Sequence, residues 1–165
     1  INMSGVNSIN WARTIAQAVY DFYSYFKLGK ETISFSVPTG NFGDVFAGYL
    51  AKKMGLPIDK LIVATNENDI LHRAISKGDY VSKEVRETIS PSMDIQLASN
   101  FERLIYYINN SDSEKTADIM KKIKLNTYQI DKPSLEIIQK DFLSESCNEK
   151  ETLDIIKKNH EENSL

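Results

Sequence analysis

Between residues 33 and 65 the hydrophobic period of the chain changes twice, and this restricts the fold more tightly than any other stretch. Ile33, Phe35 and Val37 alternate with serines, the two-residue period of a short strand over 33–37. Pro38, Thr39, Gly40 and Asn41 stop it with residues that tolerate turn geometry. A helical spacing follows, starting at Asp44 or Val45 and reaching Met54; Val45, Phe46, Tyr49, Leu50 and Met54 are available for burial, and Gly55 is the left-handed stop. Residues 61–65 are nearly all apolar, as in a strand covered on both faces of a parallel sheet. Strand, glycine turn, helix and buried strand make a βαβ unit with a right-handed crossover. The expected class is α/β: a parallel sheet with βαβ units flanked by helices, followed by a largely helical segment.

Upstream, Trp11, Ile15, Ala18, Val19, Phe22 and Phe26 recur at helical spacing over 10–26, with Asn7 or Ser8 as the cap and Gly29 as the end. Downstream, 68–76 reads as a short helix opened by Asn66 or Asn68. A longer amphipathic helix is expected from Asp94 or Ile95 to Ile108, with Leu97, Phe101, Leu104 and Ile108 on one face. Further helical spacings span 113–123, 134–143 and 150–160; Ser134 after Pro133 reads as a cap, and 127–130 as a strand or extended piece. We place a boundary in the link 109–113, dividing an α/β part (1–108) from a helical continuation of the same domain (109–165).

The composition excludes several classes. The 165 residues suffice for one compact core, and a net charge of −3 with no basic stripe argues against a nucleic-acid partner. No apolar run approaches the roughly 20 residues of a membrane span, and no signal peptide opens the chain, so a soluble cytoplasmic protein is expected. Cys147 is the single cysteine, which rules out an internal disulfide and reads as an incidental thiol. His72 and His160 lie far apart without a supporting ligand set, so neither they nor any other residue is assigned to a metal. The chain begins at Ile1 without a recognisable starting element and reads as truncated, with apolar surface exposed where further polypeptide belongs.

The stretch from Ser36 to Asp44 carries the chemistry. A phosphate needs donors converging from one side, and the first turn of a helix offers unpaired amides backed by the positive end of its dipole. Gly40 and Gly43 allow close backbone approach, Thr39 and Asn41 add side-chain donors at the rim, and Gly48 lets the helix lie near its strand. By spacing alone, a plain turn accounts for the glycines as well as a phosphate cradle does. The stretch lacks a third glycine and a Gly-Lys-Ser/Thr ending, so it fits neither the dinucleotide fingerprint nor the nucleotide-triphosphate loop.

Five blocks resemble successive motifs of the threonine synthase family, in the branch shared by fungi and many bacteria. They are Asn7-Ser8-Ile9-Asn10-Trp11-Ala12-Arg13, Val37-Pro38-Thr39-Gly40-Asn41-Phe42-Gly43-Asp44, Ala64-Thr65-Asn66-Glu67-Asn68-Asp69, Ser90-Pro91-Ser92-Met93-Asp94-Ile95 and Ser99-Asn100-Phe101-Glu102-Arg103. The resemblance covers about residues 7–108. It implies the tryptophan-synthase-β-like fold of pyridoxal-phosphate enzymes, and conversion of O-phospho-L-homoserine and water to L-threonine and phosphate by γ-elimination and β-addition. It implies that Gly40, Asn41, Phe42 and Gly43 hold the cofactor phosphate, mainly through amides, with Thr39 and Asp44 at the edges. The Schiff-base lysine and the partner of the pyridine nitrogen are expected outside this chain, in the remainder of the same polypeptide, leaving the chain alone inactive.

For a substrate bearing a carboxylate and a phosphate, Arg13 is the candidate anion clamp, with Ser8 and Asn10 beside it. Asn66, Asn68 and Asp69 follow the second strand at its carboxyl end, where open α/β sheets bind ligands; Ser92 and Asp94 are weaker candidates. Each has a plainer reading: Arg13 as a surface stem over the core, Asn66, Asn68 and Asp69 as helix caps, Ser90-Pro91-Ser92 as a helix start. Two other functions stay open at this point, a non-catalytic module binding a phosphorylated small molecule and a related pyridoxal-phosphate lyase.

Overall fold

The computed structural model describes residues 7 and 9–163. The elements run α1 (Trp11–Leu28), β1 (Ile33–Pro38), α2 (Gly43–Lys53), β2 (Ile58–Thr65), α3 (Ile70–Lys77), a 3-10 turn (Pro91–Met93), α4 (Phe101–Ile108), α5 (Ser113–Lys124), α6 (Lys132–Asp141), β3 (Phe142–Ser146) and α7 (Glu149–Asn163). The strands form a three-stranded sheet in the order β1-β2-β3, with both pairings parallel, so the expected α/β class holds. Phe35 lies opposite Leu61, and Leu61 opposite Phe142. Around this row Phe42, Phe46, Leu61, Phe101, Leu104, Ile138 and Phe142 are fully buried and join α2, α4 and α6 to the sheet. Gly29, at φ 60, ends α1 as expected, and Gly55, at φ 106, follows α2.

Several expectations fail, some to a neighbouring cap residue and others to a distant partner. Asn10, rather than Asn7 or Ser8, caps α1: its Oδ1 accepts from the Ala12 amide at 2.9 Å. The face of α1 turned to the core is Thr14 and Ala18, whereas Ile15, Val19 and Phe26 are exposed. Neither Asn66 nor Asn68 opens α3; Asp69 stands at its cap position without a side-chain capping bond. The helix expected from residue 94 or 95 begins only at Phe101, and Leu97 is exposed. Its would-be first turns are unwound because their donors go elsewhere: the Ala98 amide to the Tyr80 hydroxyl at 3.0 Å and the Asn100 amide to the Asn41 carbonyl at 3.1 Å.

Asp131, not Ser134, caps α6, accepting from the Ser134 amide. The last two residues expected in that helix, 142 and 143, instead open β3, whose Phe142 packs against Phe42 and Tyr49 while its backbone pairs with β2. Residues 127–130 supply only an isolated antiparallel bridge, Asp79 with Gln129. Residues 109–112 are a tight turn, with Asn110 and Ser111 at positive φ and the buried Asn109 side chain donating to the Ile105 carbonyl at 2.8 Å.

Candidate functional site

At the end of β1 the chain turns through Thr39–Phe42 and enters α2, and this turn floors a cleft of about 540 Å³. Pro38, Thr39, Gly40, Asn41, Gly43 and Asp44 line it from below, Arg13 and Gln17 from α1, and Ser92 and Met93 from the 3-10 turn. Among the described residues, the amides of Gly40, Asn41, Gly43 and Asp44 have no hydrogen-bond acceptor, whereas those of Thr39, Phe42 and Val45 do. Gly43 and Asp44 occupy the first turn of an 11-residue helix, where amides have no intrahelical partner and the dipole is positive. The arrangement suits an anion.

Phe42 fixes the turn. It sits at φ 63, unfavourable for an L-residue with a large side chain, and is held there by complete burial of its ring, 5.3 Å from Phe101 and 5.7 Å from Phe142 between centroids. Its amide donates to Thr39 Oγ1 at 3.2 Å, so Phe42 shapes the turn and has no free amide to offer. The Thr39 hydroxyl, expected as a rim donor, donates instead to Asp44 Oδ1 at 2.7 Å, which also accepts from the Val45 amide at 2.9 Å. The Asp44 carboxylate, an unwelcome charge beside an anion, is thereby tied to two donors. Gly40 is tight for an internal reason: a Cβ there would come within 2.9 Å of the Ser92 carbonyl oxygen and 3.2 Å of Met93 Cα.

Of the proposed substrate residues, Arg13 and the weaker candidate Ser92 line this cleft; Ser8 lies outside the described residues, and Asn10 is engaged as the α1 cap. Asn66 and Asn68 are committed to other protein groups. Asn66 Nδ2 donates to Asp94 Oδ1 at 2.6 Å and Thr88 Oγ1 at 2.9 Å, and Asn68 Nδ2 donates to the Arg86 carbonyl at 2.8 Å. Asp69 Oδ1 accepts from the buried Arg73 at 2.8 Å.

Sequence reasoning missed Gln17, whose i+4 spacing from Arg13 on α1 was the available signal. It also missed Asp21, one further turn along: burial first, and then the Asp44 charge, push its carboxyl up to about 6, against the opposing pull of its backbone hydrogen bond. Among the described residues no cluster of His, Cys, Asp or Glu is arranged to hold a metal, and no helix is long and apolar enough to cross a membrane.

Parallel sheet, strained turn and helix start together define an α/β protein with an open, amide-lined cleft at the carboxyl end of its first strand. No family model matches the chain. Threonine synthase of Saccharomyces cerevisiae is 49% identical over 97% of the chain, and threonine synthase of Pseudomonas aeruginosa 52% identical over 72% of it. The crystal structure of a PLP-bound threonine synthase from Brucella melitensis superposes with a TM-score of 0.94 at 45% identity over 98% of the chain, and that of the yeast enzyme with 0.90 at 48% over 97%. The chain belongs to the threonine synthase family. It spans 34% of the yeast protein and 36% of the Brucella chain, about a third of each.

Proposed function

We propose that the cleft at the amino end of α2 receives the phosphate of pyridoxal 5′-phosphate, in an enzyme that converts O-phospho-L-homoserine and water into L-threonine and phosphate. What carries this reading is the set of amides of Gly40, Asn41, Gly43 and Asp44, without an acceptor among the described residues, on one open cleft at a helix start. When bound, the cofactor acts as an electron sink that stabilises the carbanion left by deprotonation of the substrate. This chain's share is to hold and orient. The amides clamp the phosphate, Thr39 and Phe42 keep the turn in shape, and Arg13 offers paired guanidinium donors to an anionic group of the substrate. In this reading Asn66 and Asn68, whose side-chain amides are bonded within the protein, support the geometry around the cleft, while Asp69 is held by Arg73.

In the same reading the Schiff-base lysine and the partner of the ring nitrogen come from polypeptide outside these residues, and this chain by itself performs no turnover. The parts 1–108 and 109–165 belong to one domain, which the pairing of β3 with β2 supports. A cytoplasmic setting suits a chain whose only thiol is Cys147.

Titration of the ¹⁵N-labelled protein with pyridoxal phosphate, with inorganic phosphate as competitor, tests the site. The amide resonances of Gly40, Asn41, Gly43 and Asp44 should move together and saturably, and phosphate should reverse the effect of the cofactor. Saturable binding that leaves those resonances in place would refute the assignment, as would the absence of binding.

A further inference from the structure

We propose that Asp94 is a positioning residue for this cleft: by gathering Asn66, Asn68 and Thr88 onto one carboxylate it holds the Ser92–Met93 turn against Gly40 and sets the width of the anion site. The inference rests on the cofactor-phosphate reading given above and adds what determines the geometry of that site.

The cleft has a floor, Gly40 to Asp44, and a wall, Ser92 and Met93, which belong to separate stretches of chain. Nothing local fixes the wall. Residues 79–100 contain no helix or strand apart from the 3-10 turn at Pro91–Met93, whose own backbone bonds are Met93 N–H to the Ser90 carbonyl at 2.9 Å and Asp94 N–H to the Pro91 carbonyl at 3.2 Å. A single turn of this kind does not hold a position without outside anchors. Asp94 supplies the anchor. Its Oδ1 accepts from Asn66 Nδ2 at 2.6 Å, Thr88 Oγ1 at 2.7 Å and Asn68 Nδ2 at 3.1 Å, while Oδ2 accepts from the Thr88 amide at 2.8 Å.

Asn66 follows β2, the central strand of the sheet, and Asn68 comes two residues later, so the knot ties the 3-10 turn to the sheet. Asn66 Oδ1 accepts from the Asn68 amide at 2.9 Å, and Asn68, which is buried, also grips the backbone of Arg86 at both its amide and its carbonyl. Every donor of the two asparagine side chains is thereby used within the knot. The hydrogen bonds from Thr88 first, then those from Asn66 and Asn68, hold the Asp94 carboxyl below the ordinary carboxylate range, so it is an anion at neutral pH and can serve all of these donors at once.

The consequence reaches the cleft through contact. The Ser92 carbonyl oxygen and Met93 Cα sit so close to Gly40 that a Cβ there would meet them at 2.9 and 3.2 Å. If Asp94 lets go, the wall recedes from Gly40 and the acceptor-free amides face a wider, wetter opening. Preorganised donors lose affinity steeply when their supporting groups are loosened.

The test uses two variants, Asp94→Asn and Thr88→Val, with inorganic phosphate as the probe. Affinity is read from the Gly43 and Asp44 amide resonances, and the wall from the methionine methyl resonances, of which Met93 is on the turn whereas Met54 follows α2 and Met120 lies in α5. Asp94→Asn should weaken phosphate binding by roughly ten-fold or more, with Thr88→Val changing it in the same direction by less. In both, the Met93 methyl should shift before any phosphate is added, while Met54 and Met120 stay in place. Wild-type affinity in Asp94→Asn, or lost affinity with an unmoved Met93, overturns the inference while leaving the phosphate site intact. If Asp94→Asn does not fold, Thr88→Val decides by the same two readings. A wild-type protein that binds no phosphate removes the cofactor reading, and this inference falls with it.

Discussion

Two residues near the start of α2 carry a local cost in the folded chain: Phe42 holds a left-handed backbone, and Asp21 holds a carboxyl whose charged form burial disfavours. Left-handed backbone at Phe42 costs on the order of 1–2 kcal/mol, and burial of its ring against Phe101 and Phe142 more than offsets this. Asp21 lies between α1 and α2, close to where a Gly48 side chain would begin and within reach of the Asp44 charge. Its folded-state pKa of about 6 exceeds the ordinary 3.8, so the folded protein binds more protons than the unfolded chain between those values. Stability therefore falls as pH rises through that window, and the full cost is present above it. Asp21→Asn should raise the thermal midpoint at about pH 7 by a few degrees and have little effect at about pH 4. Melting curves across this range check the prediction, and an equal effect at both ends would contradict it. The sequence showed Phe42, Gly40 and Gly43 as parts of one turn, but the division of labour among them depends on rings and carbonyls supplied from elsewhere.

Elements read from period alone were right where the period was long and no distant group intervened. The helix α2 and the strands β1 and β2 stand within a few residues of their expected bounds, and Gly48 fulfils its expected role: a Cβ there would meet Leu61 Cδ2 at 2.8 Å. Gly48→Ala should destabilise the protein by about 1–2 kcal/mol, because displacing the fully buried Leu61 costs more than the gain of about 1 kcal/mol in helix propensity. Urea unfolding measures this, and an unchanged or increased stability would show that α2 can move away from the sheet at no cost. Where the extents of helices were misread, tertiary acceptors and donors were responsible. The apolar spacing of 95–108 is that of a helix, yet Tyr80 and Asn41 capture its early amides and only Phe101–Ile108 coils. Residues 142–146 have helical neighbours before them, yet β2 offers a row of backbone partners and a place for Phe142, and they extend.

Taken together, the elements leave one face of α1 uncovered: Val19 is 62% exposed, Tyr20 and Phe26 both 72%. Replacing Val19 and Phe26 together by lysine should cut the binding of a hydrophobic dye by roughly half or more without lowering the thermal midpoint, since neither side chain contributes to the buried core. A fall in midpoint would mean that these residues stabilise this chain after all. Local order in the sequence was enough to establish the α/β class, the βαβ unit, the glycine turn before α2 and the motif blocks that mark the family, because each depends on residues within a few positions of one another. Which amides stay without acceptors, which asparagines become supports, where β3 pairs and which face of α1 is left bare were settled only in three dimensions. Asn66 and Asp94 are 28 residues apart and Asn41 and Asn100 59, and hydrogen bonds over such separations exist only once the chain has folded.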